Sequence, residues 1–249
     1  MKKNLLTILF MSLASIAYGH DISECNQAEG RQEQPAGLHA LCRPTPQASP
    51  KVLNIIGDSY VQNHRRPMEE AWHYKMSQKL GFTYNNYGRN GGCVAFDRTH
   101  DGKHNFGPAM YTKTGQMDPN ADYVIIIGGH NDAFKIKDNK DSLQMFRDSL
   151  QLLITNIRKQ CPHARIGYVT PWYCDYPGFK QVCKTIRQVC RKNHIPVLDN
   201  YRKSCVIKVR DENFRKKYFQ GPRDTAHLNA EGHNLFLPVA MEWFRKNMQ

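Results

Sequence analysis

Beyond its first twenty residues this 249-residue chain has no apolar run that would cross a bilayer, a crossing that takes about 20 consecutive apolar residues. It has no C-x-x-C pair, and its 11 histidines are scattered, so the paired-ligand spacing of a zinc site is missing. The nearest approach, His100 and His104 in "HDGKH", reads as a loop with two exposed histidines. No internal repeat and no low-complexity tract is visible. Acidic residues are few beside basic ones, 22 against 35, giving a formal net charge of +13. That balance favours anionic partners. Neither a Cys-His finger nor an RNA-binding aromatic signature is present, which argues against nucleic acid. The densest basic stretch, Arg202 to Arg223 with Lys203, Lys208, Arg210, Arg215, Lys216 and Lys217, reads as a solvated face.

The chain opens with the layout of a secretory signal. Lys2 and Lys3 precede an apolar stretch from Leu5 to Ala17, and Ala17-Tyr18-Gly19 is a small-x-small cleavage site. The expectation is a signal peptide over 1–19 and a secreted or periplasmic mature chain starting near His20, without a lipoprotein anchor because no Cys follows the cut. Residues 20–50 are rich in Gln, Glu, Pro, Ala and Gly without a period and read as an irregular arm. All eight cysteines, Cys25, Cys42, Cys93, Cys161, Cys174, Cys183, Cys190 and Cys205, lie in the mature part. Cys183 and Cys190 are seven apart on a predicted helix, roughly 10 Å along its axis, too far to pair with each other.

From Lys51 the pattern alternates. Strands are predicted over Val52–Ile56, Phe82–Tyr87, Tyr123–Ile127, Arg165–Thr170 and Pro196–Leu198. Helices are predicted from Met68 to a stop at Gly81, over the stretch that sets Leu143, Phe146, Leu150, Leu153, Ile154 and Ile157 on one face, over Phe179–Asn193, and over Ala230–Lys246. Repeated strand and helix is the signature of an α/β domain over 51–249 with a mostly parallel sheet covered on both faces. "YVIIIGG" is apolar without alternation, as a central strand buried on both sides should be. In such sheets ligands bind beyond the carboxyl ends of the strands.

The first exit delivers Gly57-Asp58-Ser59, the second "NNYGRNGG", the third Gly128-Gly129-His130-Asn131-Asp132. After the last strand comes "DTAHLNAEGH", with Asp224 and His227 three apart. Each stretch alone is compatible with a turn, a cap or a local ion pair. Together they supply a hydroxyl, an imidazole to take its proton, a carboxylate to hold the imidazole, and N–H donors for an oxyanion. Three residues apart on a helical turn, Asp224 reaches one ring nitrogen of His227 and leaves the other free.

On these blocks the chain resembles the SGNH hydrolases, or GDSL-type esterases, over nearly all of residues 51–247. Gly57-Asp58-Ser59 matches the first block with Ser59 as nucleophile. "NYGRNGG" resembles the second, whose oxyanion glycine aligns with Gly91 by spacing from Asn86, with Gly88 and Gly92 as alternatives. "GGHND" matches the third, with Asn131 as side-chain oxyanion donor beside the Ser59 N–H. "DTAHLNAEGH" is similar to the last, giving Asp224 and His227. The resemblance implies a three-layer α/β/α flavodoxin-like fold, hydrolysis through an acyl-enzyme, and neither metal nor organic cofactor. Tyr60 stands where many members have leucine, so lipase activity in particular gains no support.

Asn63, His64, Trp172 and Tyr173 are the candidate substrate contacts, because aromatic platforms with polar donors suit a sugar better than an acyl chain. The expected activity is removal of O-acyl, chiefly O-acetyl, groups from a carbohydrate or small-molecule ester. The rivals are a lipase or lysophospholipase, an O-acyltransferase using the same triad, and a non-catalytic binder of acidic glycans.

Overall fold

Five short strands carry the fold: β1 (Val52–Gly57), β2 (Thr83–Gly88), β3 (Tyr123–Ile127), β4 (Arg165–Val169) and β5 (Val197–Leu198). β3 is wholly apolar, whereas β2, TYNNYG, is polar and only half-buried. The structure is a computed structural model that describes residues 49–202 and 205–249. The expected signal peptide, residues 20–48 of the expected arm, Cys25 and Cys42 lie outside the described residues. Every strand pairing is parallel, in the order β2-β1-β3-β4-β5. This is the flavodoxin-like order, with its switch point between β1 and β3.

Successive side chains of a strand point to opposite faces, and the two cores divide on that rule. Ile56, Val124, Ile126, Ile166 and Tyr168 lie in one core cluster, and Leu53, Ile55, Tyr123, Ile125, Ile127 and Val169 in the other. The first is covered by α4 (Lys140–Gln160) and α5 (Phe179–Lys192), the second by α2 (Trp72–Leu80) and α7 (Ala230–Met248). Phe146, Leu150, Leu153, Ile154 and Ile157 of α4 are all fully buried, and each such side chain stabilises by roughly 1.5–3 kcal/mol.

Three elements depart from the sequence expectation. The helix from Met68 is broken: a 3₁₀ turn, Met68–Glu70, precedes α2, which stops at Gly81 with φ 67°. The turn after β3 is a helix, α3 (His130–Ile136), and α6 (Glu212–Tyr218) occupies part of the basic stretch. Cys93, Cys161, Cys174, Cys183, Cys190 and Cys205 are free thiols. Among the described residues no helix is long and apolar enough to cross a membrane.

Candidate active site

β1 must end on glycine, because a Cβ at Gly57 would stand 2.2 Å from the Ile127 carbonyl oxygen of the neighbouring strand. The chain then turns into the single helical turn α1 (Ser59–Gln62), capped by Asp58, whose Oδ1 accepts the Tyr60 N–H at 2.9 Å. Asp58 is fully buried. Burial pushes its carboxyl up to about 8 against the pull of the Tyr60 N–H, so it is protonated at neutrality. Ser59 opens the turn, and its own N–H has no acceptor among the described residues.

His227 Nε2 lies 3.0 Å from Ser59 Oγ, and His227 Nδ1 lies 2.9 Å from Asp224 Oδ2. With Nδ1–H donating to the carboxylate, Nε2 is left to accept from the hydroxyl. Asp224 and His227 do not share a turn of helix, as the spacing had implied, but a bent loop. Asp224 Oδ1 folds that loop by accepting the N–H groups of Ala226 at 2.8 Å and His227 at 2.9 Å. Burial raises the Asp224 pKa, but the hydrogen bonds from His227 and Ala226 outweigh it and hold the carboxyl below its ordinary value. The loop is anchored on both sides. Gln220 N–H donates to the His227 carbonyl at 2.9 Å, and the Trp172 indole donates to the Ala226 carbonyl at 3.0 Å.

Opposite stand the donors from β2 and β3. Asn131 Nδ2 donates to the Gly92 carbonyl at 3.0 Å and, at a longer 3.4 Å, to Asp58 Oδ2, the weaker contact being the one a ligand would replace. Asp132, next in α3, is fully buried and accepts the Val94 and Ala95 N–H groups, both at 2.9 Å, pinning the second-exit loop to the helix. Burial raises its pKa to about 6 despite those donors. The glycine alternatives now separate. Gly88 N–H donates to Asn86 Oδ1 at 2.8 Å and Gly92 N–H to the Arg89 carbonyl at 2.9 Å, whereas Gly91 N–H has no acceptor among the described residues. Gly91 has φ 71°, and a Cβ there would stand 2.2 Å from the Phe106 ring.

These groups line a cavity of about 500 Å³. His64 forms part of its wall and stacks on His227 with ring centroids 4.1 Å apart. Burial first, then the neighbouring His227, lowers the His64 pKa. Its buried Nδ1 and the buried Oδ1 of Asn90, also in the wall, find no partner in hydrogen-bonding geometry among the described residues, although the Asn90 side chain stands close enough to offset part of the lowering. His130 faces the same space, with its pKa lowered to about 4 by burial.

Of the four candidate substrate contacts, only His64 lines this cavity. Asn63 is 2% exposed, accepts from His233 Nε2 at 2.9 Å and donates to the Pro67 carbonyl. Trp172 is 3% exposed and packs on Tyr60, with centroids 4.4 Å apart. Tyr173 borders a separate cleft, under the Arg210 guanidinium. The residues that do form the wall, Asn90, Phe106, His130, Phe134, Tyr176 and Arg223, were not singled out from sequence. Asn90, His130, Phe134 and Arg223 lie in or beside the four blocks and Tyr176 follows the fourth strand, but such closeness does not say which side chains turn inward, and Phe106 carried no signal of that kind. Among the described residues no cluster of His, Cys, Asp and Glu is grouped to hold a metal ion.

The GDSL-like lipase/acylhydrolase family model matches residues 55–235. The chain belongs to this family. As a GDSL-like acylhydrolase it is a carboxylic ester hydrolase, and solved structures agree on the fold. A proposed arylesterase from Agrobacterium tumefaciens aligns with TM-score 0.59 and 18% identity over 79% of this chain and 99% of that one. A member of the lipolytic G-D-S-L family from Veillonella parvula aligns with TM-score 0.56 and 16% identity over 79% and 99%. A family two carbohydrate esterase from Clostridium thermocellum, solved as an active-site mutant, aligns with TM-score 0.55 and 13% identity over 82% and 65%. No curated protein matches this GDSL-like chain.

Proposed function

We propose that this hydrolase is exported through its first 19 residues and removes O-acyl groups, chiefly O-acetyl groups, from carbohydrate. Ser59 is the nucleophile, His227 the general base and acid, and Asp224 the group that orients it. Ser59 Oγ attacks the ester carbonyl while His227 Nε2 takes its proton. The oxyanion of the tetrahedral intermediate is held by the N–H groups of Ser59 and Gly91 and by Asn131 Nδ2. Collapse expels the alcohol, which leaves with the proton from Nε2, and the acyl group stays on Ser59. His227 then deprotonates a water that attacks the acyl-serine, and Ser59 recovers its proton as the carboxylic acid departs.

The observation that carries this reading is the unbroken chain from Ser59 Oγ through His227 to Asp224, at 3.0 and 2.9 Å, beside backbone donors with no acceptor of their own. A small acyl group on a sugar is supported by the wall. Its aromatic members Phe134 and Tyr176 are 49% and 36% exposed, open for a sugar face to lie against, and Asn90, Asn131, His64 and Thr225 supply polar contacts between them. A long acyl chain needs an extended apolar channel, which this lining does not supply.

The test is acetate release from acetylated glycans, run beside p-nitrophenyl acetate and a long-chain p-nitrophenyl ester. Ser59→Ala should lower turnover roughly 10⁴-fold or more. Parent-like activity in that variant defeats the mechanism, and a clear preference for the long-chain ester replaces the sugar reading with a lipase.

A further inference from the structure

The Ser59 cavity does not stand alone. It shares His64 and Asp224 with a depression of about 500 Å³, and Asn90 and Phe106 with one of about 400 Å³. The three are joined through these shared residues, and Ser59 lines the one that adjoins both. Their linings contain Arg65, Arg66, Arg89, Arg98, Arg223 and Lys113, but a single carboxylate, Asp224. Asp224 is already committed, with both oxygens accepting from the His227 loop.

The cations divide into two groups. Arg66 pairs with Glu70 at 2.7 Å and Arg98 with Asp101 at 2.6 Å, both carboxylates standing outside the linings. Arg65, Arg89, Arg223 and Lys113 have no carboxylate partner among the described residues, and Arg89 donates only to neutral Asn105. Arg65 is held at φ 57°, in the left-handed region that a non-glycine residue seldom occupies. Burial and the neighbouring Arg89 both lower the Lys113 pKa, the result of crowding like charges without a counter-ion. Elsewhere some basic side chains find acids: Arg187 and Arg202 share Asp199, and Lys216 meets Glu212. Cations without a carboxylate partner, set against one committed carboxylate, make the linings of this cleft positive, and low-dielectric walls concentrate that potential.

We propose that the groove through the active site selects an acidic polysaccharide, with Arg223 in the Ser59 cavity, Arg65 in the depression that shares His64, and Arg89 and Lys113 in the one that shares Asn90 binding acid groups of the sugars next to the esterified one. This rests on the esterase reading and names its substrate class.

Ser59→Ala protein, which separates binding from turnover, is titrated with polygalacturonate oligomers and with the same oligomers after carboxyl reduction, at about 20 and 500 mM salt. The acidic oligomers should bind at least tenfold more tightly at low salt, and the preference should shrink at high salt as screening predicts. On that background Arg65→Gln with Arg223→Gln, and separately Arg89→Gln with Lys113→Gln, should each weaken acidic binding roughly tenfold. Arg191→Gln with Lys192→Gln, at the far end of α5, should not. Equal binding of the two oligomers, or equal losses from the groove and control pairs, overturns the proposal. A parent inert toward p-nitrophenyl acetate overturns the esterase reading instead, in a separate assay.

Discussion

The exits of β1 and β4 occupy equivalent places at the carboxyl edge of one parallel sheet, yet they have opposite polar inventories. Beyond β4 the donors of Asn200 and the Trp172 indole are committed. Asn200 N–H donates to Thr170 Oγ1 and Asn200 Nδ2 to the Thr170 carbonyl, both at 2.8 Å, and the Trp172 indole is held by Ala226. Beyond β1 and β2, the N–H groups of Ser59 and Gly91 are left without acceptors among the described residues. An unsatisfied buried polar group costs about 1–3 kcal/mol, so a fold keeps such groups only where something else will meet them. The sheet sets out several equivalent positions, and the proposed chemistry sits at the exits whose backbone N–H groups line the Ser59 cavity.

That contrast can be broken by substitution. The largest effect is expected at the β1 side. Asp224→Asn keeps the loop but lets the amide favour the wrong His227 tautomer, and kcat should fall by roughly 10⁴-fold with the fold intact by circular dichroism. Asn131→Ala removes one oxyanion donor, and kcat should fall by about 10²–10³-fold with KM little changed. At the β4 side the signs of the experiment reverse. Asn200→Ala keeps the backbone N–H bond to Thr170 Oγ1 but leaves the Thr170 carbonyl without its side-chain donor, so urea unfolding should show a loss of roughly 1–3 kcal/mol, while kcat on p-nitrophenyl acetate stays within a few-fold of the parent. A large kcat loss there would erase the distinction between the two exits.

The smallest effect sharpens the comparison at Asp58, the buried carboxyl between the two sides. Its folded pKa of about 8 lies above the ordinary 3.8, so the folded state keeps a proton that the unfolded chain has released. Stability from this group is therefore lost as pH rises from about 4 through 8. The buried imidazoles run the other way. Burial lowers His73 and His130 to about 4 and His233 to about 3, so their contribution is present above 6.5 and lost as pH falls below it. Asp132, near 6, has largely finished titrating by then. Between pH 6.5 and 8.5 Asp58 is the one of these five still changing charge, and Asp58→Asn should flatten the decline of the urea midpoint across that window.

Much of this was legible in the chain. "VLNIIG" and "YVIIIGG" placed the two central strands, and Gly81 placed a helix end, because each local pattern agrees with its tertiary setting. Ser59, Asn131, Asp224 and His227 were named as candidates because chemistry restricts those positions to particular side chains, and the structure gathers all four around one cavity. What sequence could not give was the direction of side chains. Trp172 and Asn63 looked like pocket walls because they follow strand and nucleophile, yet each is turned inward by a hydrogen bond to a residue more than fifty positions away. Nor could spacing choose among Gly88, Gly91 and Gly92, since the choice lies in which N–H already has an acceptor. The local pairing of Asp224 with His227 was legible, but its form was not: an aspartate folding its own loop through backbone N–H groups uses the same three-residue spacing as a helix.

The hydrogen bond from His233 to Asn63 fastens the first turn of α7 to the residue that ends α1, joining chain segments 170 residues apart. The proposed base, His227, and its partner Asp224 reside just before α7, and the proposed nucleophile, Ser59, begins α1. A clasp that no reacting atom touches thus sets how far the proton must travel, and slackening of the last helix would silence the enzyme while most of the sheet still stood.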